Sequence, residues 1–295
     1  MTSRLLFFFF LFLCTVTTLV STVSGALSCR KSCGDIPINY PFGIDKSCGS
    51  PQFSGMLNCS STDLYFVTPS GSYKVRSIDY DKNTLVVFDP LMSTCSTLQP
   101  NHDFKLSDIQ NTLIRPSYDS VFALLNCSND SPLHNRYQNL CFSTAGHSCD
   151  ELYSSCTSFS VFNTTSPNGN NTERATPNCC FTNYDTVRAM SMSVLDCSHY
   201  TTVINDGKMK GAVPIDWSYG IELSYSAPEI GCNACDKSGG TCGFDLETEI
   251  FLCQCPNNIT TRDCGGVSDG GSNSTKANYA TLFLVMLVSF ICAIL

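Results

Sequence analysis

The stretch DLYFVTPSGSYKVRSIDYDKNTLVVFD (63–89) decides the reading of the fold. Three apolar or alternating runs, Leu64–Thr68, Tyr73–Tyr80 and Leu85–Asp89, are separated by the breaker-rich pieces PSGS and DKN. β-Branched and aromatic residues at period two, bounded by Gly, Pro, Asn and Asp, predict a meander of three strands. In the middle run Tyr73 and Val75 face one way and Lys74 and Arg76 the other, because successive Cβ atoms alternate across a strand. Helix signals are few. Ser148 and Glu151 in SCDELYSSC fit a capping box, which would set Cys149 and Cys156 on nearly one face of a two-turn helix. The expected class is mainly β, with short strands, many turns and few short helices.

The ends and the cysteines fix the compartment. MTSRLLFFFFLFLCTVTTLVSTVSGA carries one basic residue, an apolar run and small residues near Gly25, so residues 1–25 read as a secretory signal peptide. Of the 20 cysteines, Cys14 lies in that segment and Cys292 in the C-terminal apolar run. The other 18 form an even set in an oxidising route, which predicts a framework of disulfides whose pairing spacing alone leaves open. CNAC and CQC resemble metal-ligand spacings, but the compartment argues against free thiolates, so no metal and no cofactor is expected. Seven Asn-x-Ser/Thr acceptors, at Asn58, Asn126, Asn129, Asn163, Asn170, Asn258 and Asn273, predict a glycoprotein. Residues 163–178 are polar and breaker-rich and read as a glycosylated loop.

Residues 277–295 are apolar and as a helix would span about 28 Å, close to a hydrocarbon core of roughly 30 Å. No Lys or Arg follows them, and 265–276 are small, polar and Gly/Ser-rich. That order is the signal for exchange with a glycosylphosphatidylinositol lipid, with Asp269, Gly270 and Gly271 as attachment candidates. A short transmembrane helix is the alternative. Either way the expectation is a protein at the outer face of the plasma membrane with no cytoplasmic domain, so that signalling would need a partner.

CRKSCGDIPINYPFGIDKSCGSPQFSGMLNC (29–59) joins a Cys-Gly pair, an alternating IPI, the YPFGI segment, a CG-P-F run and an apolar-x-Cys close. It resembles the start of the galacturonan-binding domain of plant wall-associated receptor kinases, and the 63–89 meander continues the pattern. GIELSYSAPEIGCNACDKSGGTCGFDLETEIFLCQCPNN (220–258) is similar to the cysteine-rich module that closes such ectodomains. Tyr225 stands where the resemblance implies a tryptophan, and no kinase segment is present. The last six cysteines have an abbreviated EGF-like order, which implies the pairs Cys232–Cys242, Cys235–Cys253 and Cys255–Cys264. No acidic calcium consensus precedes Cys232. The expected organisation is a galacturonan-binding-like β domain at 26–125, a second cysteine-rich domain at 126–230 and the EGF-like module at 231–264. The linker with the anchor site and the apolar tail follow.

Charge agrees with a first domain that meets an acidic polymer. The chain is net −8, yet residues 29–82 hold six Lys/Arg against five Asp/Glu, a net +1, while 83–272 hold nine against twenty, a net −11. Only the first stretch does not repel a polyanion. Arg30, Lys31, Lys46, Lys74 and Arg76 are the candidate carboxylate contacts, Arg as a planar fork and Lys as a point charge. Tyr40 and Phe42 are candidate faces for sugar rings; YPFG is equally a turn with core aromatics. The four histidines (His102, His134, His147, His199) sit in no catalytic motif, and GxSxG and Walker loops are missing. No enzymatic activity is expected, and compartment and charge exclude nucleic acid. The reading is a pectin-binding, non-catalytic cell-surface glycoprotein. The alternatives are a co-receptor or binding module for a secreted peptide acting with a receptor kinase, and a wall hydrolase.

Overall fold

The computed structural model describes residues 29–162, 164–165, 174–175, 177–228, 231–256 and 258–265. The signal segment, Asn163, Asn170, Asn273, Asp269, Gly270, Gly271 and the apolar tail lie outside the described residues. Among the described residues no helix is long and apolar enough to cross a membrane.

A small hairpin, β1 (Ser32–Cys33) with β2 (Ile36–Pro37), precedes an antiparallel meander of β3 (Leu57–Ser60), β4 (Asp63–Thr68), β5 (Gly71–Asp79) and β6 (Thr84–Phe88). The alternation read from 63–89 holds. Leu64 and Phe66, Tyr73 and Val75, Leu85 and Val87 point into the core, and Lys74 points out. A bulge between Val75 and Ser77 leaves Arg76 as the extra residue of β5.

The sheet is finished by strands far away in sequence. β7 (Ile114–Pro116) leads to β8 (Ser120–Cys127). β9 (Thr164–Thr165) and β10 (Arg174–Ala175) pair with each other, and β11 (Asn178–Thr182), β12 (Cys197–Ile204), β13 (Ser218–Tyr219) and β14 (Ile221–Tyr225) follow. β14 pairs with β6 on one side and β7 on the other, giving the order β3-β4-β5-β6-β14-β7. A second antiparallel sheet has the order β11-β8-β12-β13. Its central strand β8, SVFALLNC, is covered on both faces, so it is a continuous apolar run with no alternation.

One cluster of buried side chains runs from Cys33 to Tyr225 and joins both sheets. The domain boundary expected at 125/126 falls inside β8. Residues of the stretch expected to form the first β domain and of the stretch expected to form the second cysteine-rich domain share this cluster, because the strand that neighbours β6 comes from 221–225.

Helices are short. The one at Glu151–Ser155 is less than two turns, and only half of its expected capping box forms: Glu151 Oε1 accepts from the Ser148 N–H (3.1 Å) with no side-chain cap in return. The complete capping box is at Ser107 and Gln110, ahead of the helix Asp108–Leu113.

All 18 cysteines from Cys29 to Cys264 are paired. Cys29–Cys48 and Cys33–Cys59 staple the first stretch. Cys95–Cys156, Cys127–Cys197, Cys141–Cys180 and Cys149–Cys179 staple the second sheet and its loops. The last six pair as Cys232–Cys242, Cys235–Cys253 and Cys255–Cys264, the EGF order. A disulfide typically contributes about 2–4 kcal/mol. The closing module is a short helix, Cys232–Lys237, and a three-stranded sheet of β15 (Thr241–Phe244), β16 (Phe251–Gln254) and β17 (Ile259–Thr260). Its core is four buried half-cystines, with Tyr40 and Phe251 packed against them.

Candidate functional site

The closing module folds back on the start of the chain. Gly49 N–H donates to the Cys242 carbonyl (3.0 Å), Phe244 N–H donates to the Ser47 carbonyl (2.9 Å), and Cys48 bridges to Gly243. Glycine is required at this approach. A Cβ on Gly243 would lie 2.3 Å from the Ser47 oxygen, and one on Gly49, at φ +76°, would lie 2.6 Å from the Phe42 carbonyl.

The junction encloses a cleft of about 490 Å³. One wall is the start of the chain, with Arg30, Lys31, Asn39, Tyr40 and Asp81; the other is Asn233, Asp236 and Thr241 of the closing module. The IPINYPFG segment is set by hydrogen bonds to the meander. The Asn39 N–H donates to the Tyr80 hydroxyl (2.8 Å), which in turn donates to the Pro37 carbonyl (3.1 Å). Burial pushes the Tyr80 phenol up to about 12, so it remains a neutral donor. The Tyr40–Pro41 peptide is cis. The Tyr40 hydroxyl donates to the Pro228 carbonyl (2.6 Å), which fixes its ring at the cleft.

The seven candidate residues separate into three groups. Arg30, Lys31 and Tyr40 meet in the cleft. Asp45 accepts from Arg30 Nε (2.8 Å) and from the Arg30 N–H (2.7 Å), so the guanidinium is oriented while its terminal nitrogens have no protein partner among the described residues. Lys31 is exposed and forms no ion pair among the described residues. Lys46 is exposed but lies outside the cleft lining.

The other candidates are engaged in packing or pairing. Phe42 borders the cleft from beneath: it is 2% exposed, and its ring packs edge-on in the core against Phe53 (5.3 Å) and Tyr225 (4.9 Å). Tyr225, in the position where tryptophan was expected, therefore completes the floor under YPFG. Lys74 lies on the outer face of the meander, paired with Asp63 (2.8 Å). Arg76 lies over the Phe88 ring at 4.4 Å and donates to the Tyr219 carbonyl. The bulge re-aims it toward β13, a structural use that period two could not show. Asn39, Asn233 and Thr241 line the cleft and were not singled out from sequence. No motif marks them, since their place depends on the fold-back.

The histidines serve packing. His102 is held by Asp89, His147 by Glu151 (2.7 Å) and the Met209 carbonyl (2.9 Å), and His199 meets the Phe162 ring at a tilt (4.9 Å between centroids). His134 Nε2 is buried and has no hydrogen-bond partner among the described residues. The sulfurs of CNAC and CQC are all in disulfides. Of the glycosylation candidates, Asn58, Asn129 and Asn258 are exposed. Asn126 is half-buried beside the Cys127–Cys197 bridge, and its Nδ2 donates to Ser198 Oγ (2.7 Å).

Chemically the cleft joins two cations, two carboxylates (Asp81 and Asp236), two amide side chains, a hydroxyl and a fixed aromatic ring. This set suits a hydroxyl-rich ligand bearing a small number of carboxylates. No curated protein and no solved structure matches the chain. Residues 29–89, which form β1 to β6 and one wall of the cleft, match the family described as wall-associated receptor kinase galacturonan-binding.

Proposed function

We propose that the protein is a non-catalytic cell-surface glycoprotein that binds de-esterified galacturonan of pectin in the cleft at the module junction. The convergence of Arg30, Lys31 and Tyr40 from the matched stretch into one cleft carries this reading. Arg30 is presented with its Nε side held by Asp45, which leaves the terminal nitrogens for a uronate carboxylate. Lys31 supplies a second, mobile point charge, and Tyr40 supplies a ring face for a pyranose.

Titration of the purified full chain with galacturonan oligomers tests this. Hydrogen bonds to charged groups contribute about 1.5–3 kcal/mol. Arg30→Gln and Lys31→Gln should therefore each weaken binding roughly ten- to hundred-fold. Affinity should fall with salt, since exposed charges are screened over about 8 Å at physiological ionic strength. A fully methyl-esterified polymer binding as well as the free acid would overturn the reading. Salt-insensitive capture of a peptide in its place would favour the co-receptor role beside a receptor kinase.

The same proposal places the protein at the cell wall, held by a lipid exchanged for residues 277–295 at Asp269, Gly270 or Gly271. Its support is the small, polar composition of 265–276 before an apolar run. Phosphatidylinositol-specific phospholipase C should release the protein from intact cells; retention, with peptides from 277–295 found in the mature protein, would reject the anchor.

A further inference from the structure

A second hollow of about 250 Å³ adjoins the main cleft, and Tyr40 and Gly49 line both. The Tyr40 ring, tied through its hydroxyl to the Pro228 carbonyl, is thus a partition between the two spaces. The second hollow differs in chemistry. Tyr40, Phe251, Pro51 and Pro228 give it apolar walls, and Gln52 and Glu249 are its main polar side chains. No Lys or Arg lines it, whereas Arg30 and Lys31 line the main cleft. Glu249 is exposed, has no ion-pair partner among the described residues, and sits in a turn closed by Glu249 N–H to the Asp245 carbonyl (2.8 Å) and Asp245 N–H to the Ile250 carbonyl (2.9 Å).

We infer that this hollow is a subsite for one uncharged pyranose, lying next to a carboxylate-bearing sugar in the main cleft. The volume is below the roughly 300–1,000 Å³ of a drug-sized ligand site, so it suits a single ring. Aromatic and proline faces match the C–H face of a pyranose, while Gln52 and Glu249 reach its hydroxyls. A free uronate carboxylate here would meet Glu249 with no cation to offset it, and like charges repel. A methyl-esterified uronate or a neutral sugar removes that repulsion and adds apolar area against Phe251 and Pro51. The preferred ligand is therefore a partly esterified chain that presents one free acid beside one neutral residue. This inference rests on the galacturonan reading of the main cleft.

The test is calorimetry of the purified full chain with galacturonan oligomers of equal length, either fully de-esterified, half methyl-esterified or fully esterified. Half-esterified oligomers should bind tightest, about tenfold above the fully de-esterified ones. Glu249→Gln should abolish that difference by strengthening the fully de-esterified arm. Phe251→Ala should lower affinity for the half-esterified arm and leave the fully de-esterified arm unchanged. Because Phe251 also packs on the cystine core, Gln52→Ala on the exposed rim is the second variant and should act in the same direction. If the free acid binds as tightly as or more tightly than the half-esterified oligomer, and Glu249→Gln changes nothing, the subsite is overturned and the main-cleft reading stands. If no galacturonan binds in any arm, both fall.

Discussion

Replacing His102 by alanine should destabilise the protein by about 3–5 kcal/mol, the cost of breaking a buried ion pair by deleting one partner. Asp89 closes β6 and is fully buried. Its Oδ1 accepts from the Leu91 N–H (2.8 Å), and its Oδ2 accepts from His102 Nε2 (2.6 Å) and from the Tyr200 hydroxyl. The other ring nitrogen of His102 faces the Asp103 carbonyl oxygen at 3.1 Å. Both imidazole nitrogens thus face acceptors, an arrangement that favours the doubly protonated ring. The hydrogen bond to Asp89, opposed by burial, raises the His102 pKa above its ordinary value. A histidine whose folded pKa is raised contributes stability that is complete below its unfolded pKa of about 6.5 and is lost as pH rises through the folded value. Thermal unfolding at pH 5.5 and at pH 9 is the assay. The native protein should lose stability across that window, while His102→Ala should lose most of that dependence and melt lower at pH 5.5. At about 2–4 °C per kcal/mol for a domain of this size, the shift at pH 5.5 is roughly 6–20 °C. His102→Gln keeps one donor for Asp89 and should fall in between. A His102→Ala melting point within about 1 °C of native at pH 5.5, or an unchanged pH dependence, would refute the ion-pair assignment.

Three further outcomes follow from packing. Gly240→Ala would set a Cβ 2.5 Å from Cys253 Sγ and 2.6 Å from Cys235 Sγ, so the variant should be secreted poorly or with scrambled C-terminal bridges, read by non-reducing peptide mapping. Phe42→Ala should cost about 3–5 kcal/mol in denaturant unfolding as a core truncation, whereas a sugar-platform role would instead show as lost binding at unchanged stability. Ser107→Ala removes the capping box of the helix Asp108–Leu113 and should cost about 1 kcal/mol in the same assay.

Local pattern made much of this protein legible. The period-two runs of 63–89 became β4, β5 and β6, since a half-buried strand must alternate. The even set of 18 cysteines between the two apolar ends became nine bridges. The IPINYPFG segment marked the stretch that the galacturonan-binding family model matches. β8 was not singled out from sequence, because a continuous apolar run does not by itself distinguish a buried strand from a buried helix.

The sequence by itself thus determined the class of the fold and the stretch that the galacturonan-binding family matches. Tertiary structure alone decided which candidates lie together. Pairing between β6 and β14 joins residues 84–88 to 221–225, and the fold-back of the closing module sets Asp236 and Thr241 across from Lys31 and Tyr40. Neither follows from spacing, because contacts between residues well over a hundred positions apart depend on shape and not on local period. For the same reason Arg30 and Lys31 reach the cleft, while Arg76, equally basic and equally outward by alternation, is drawn by a bulge onto Phe88 and the Tyr219 carbonyl.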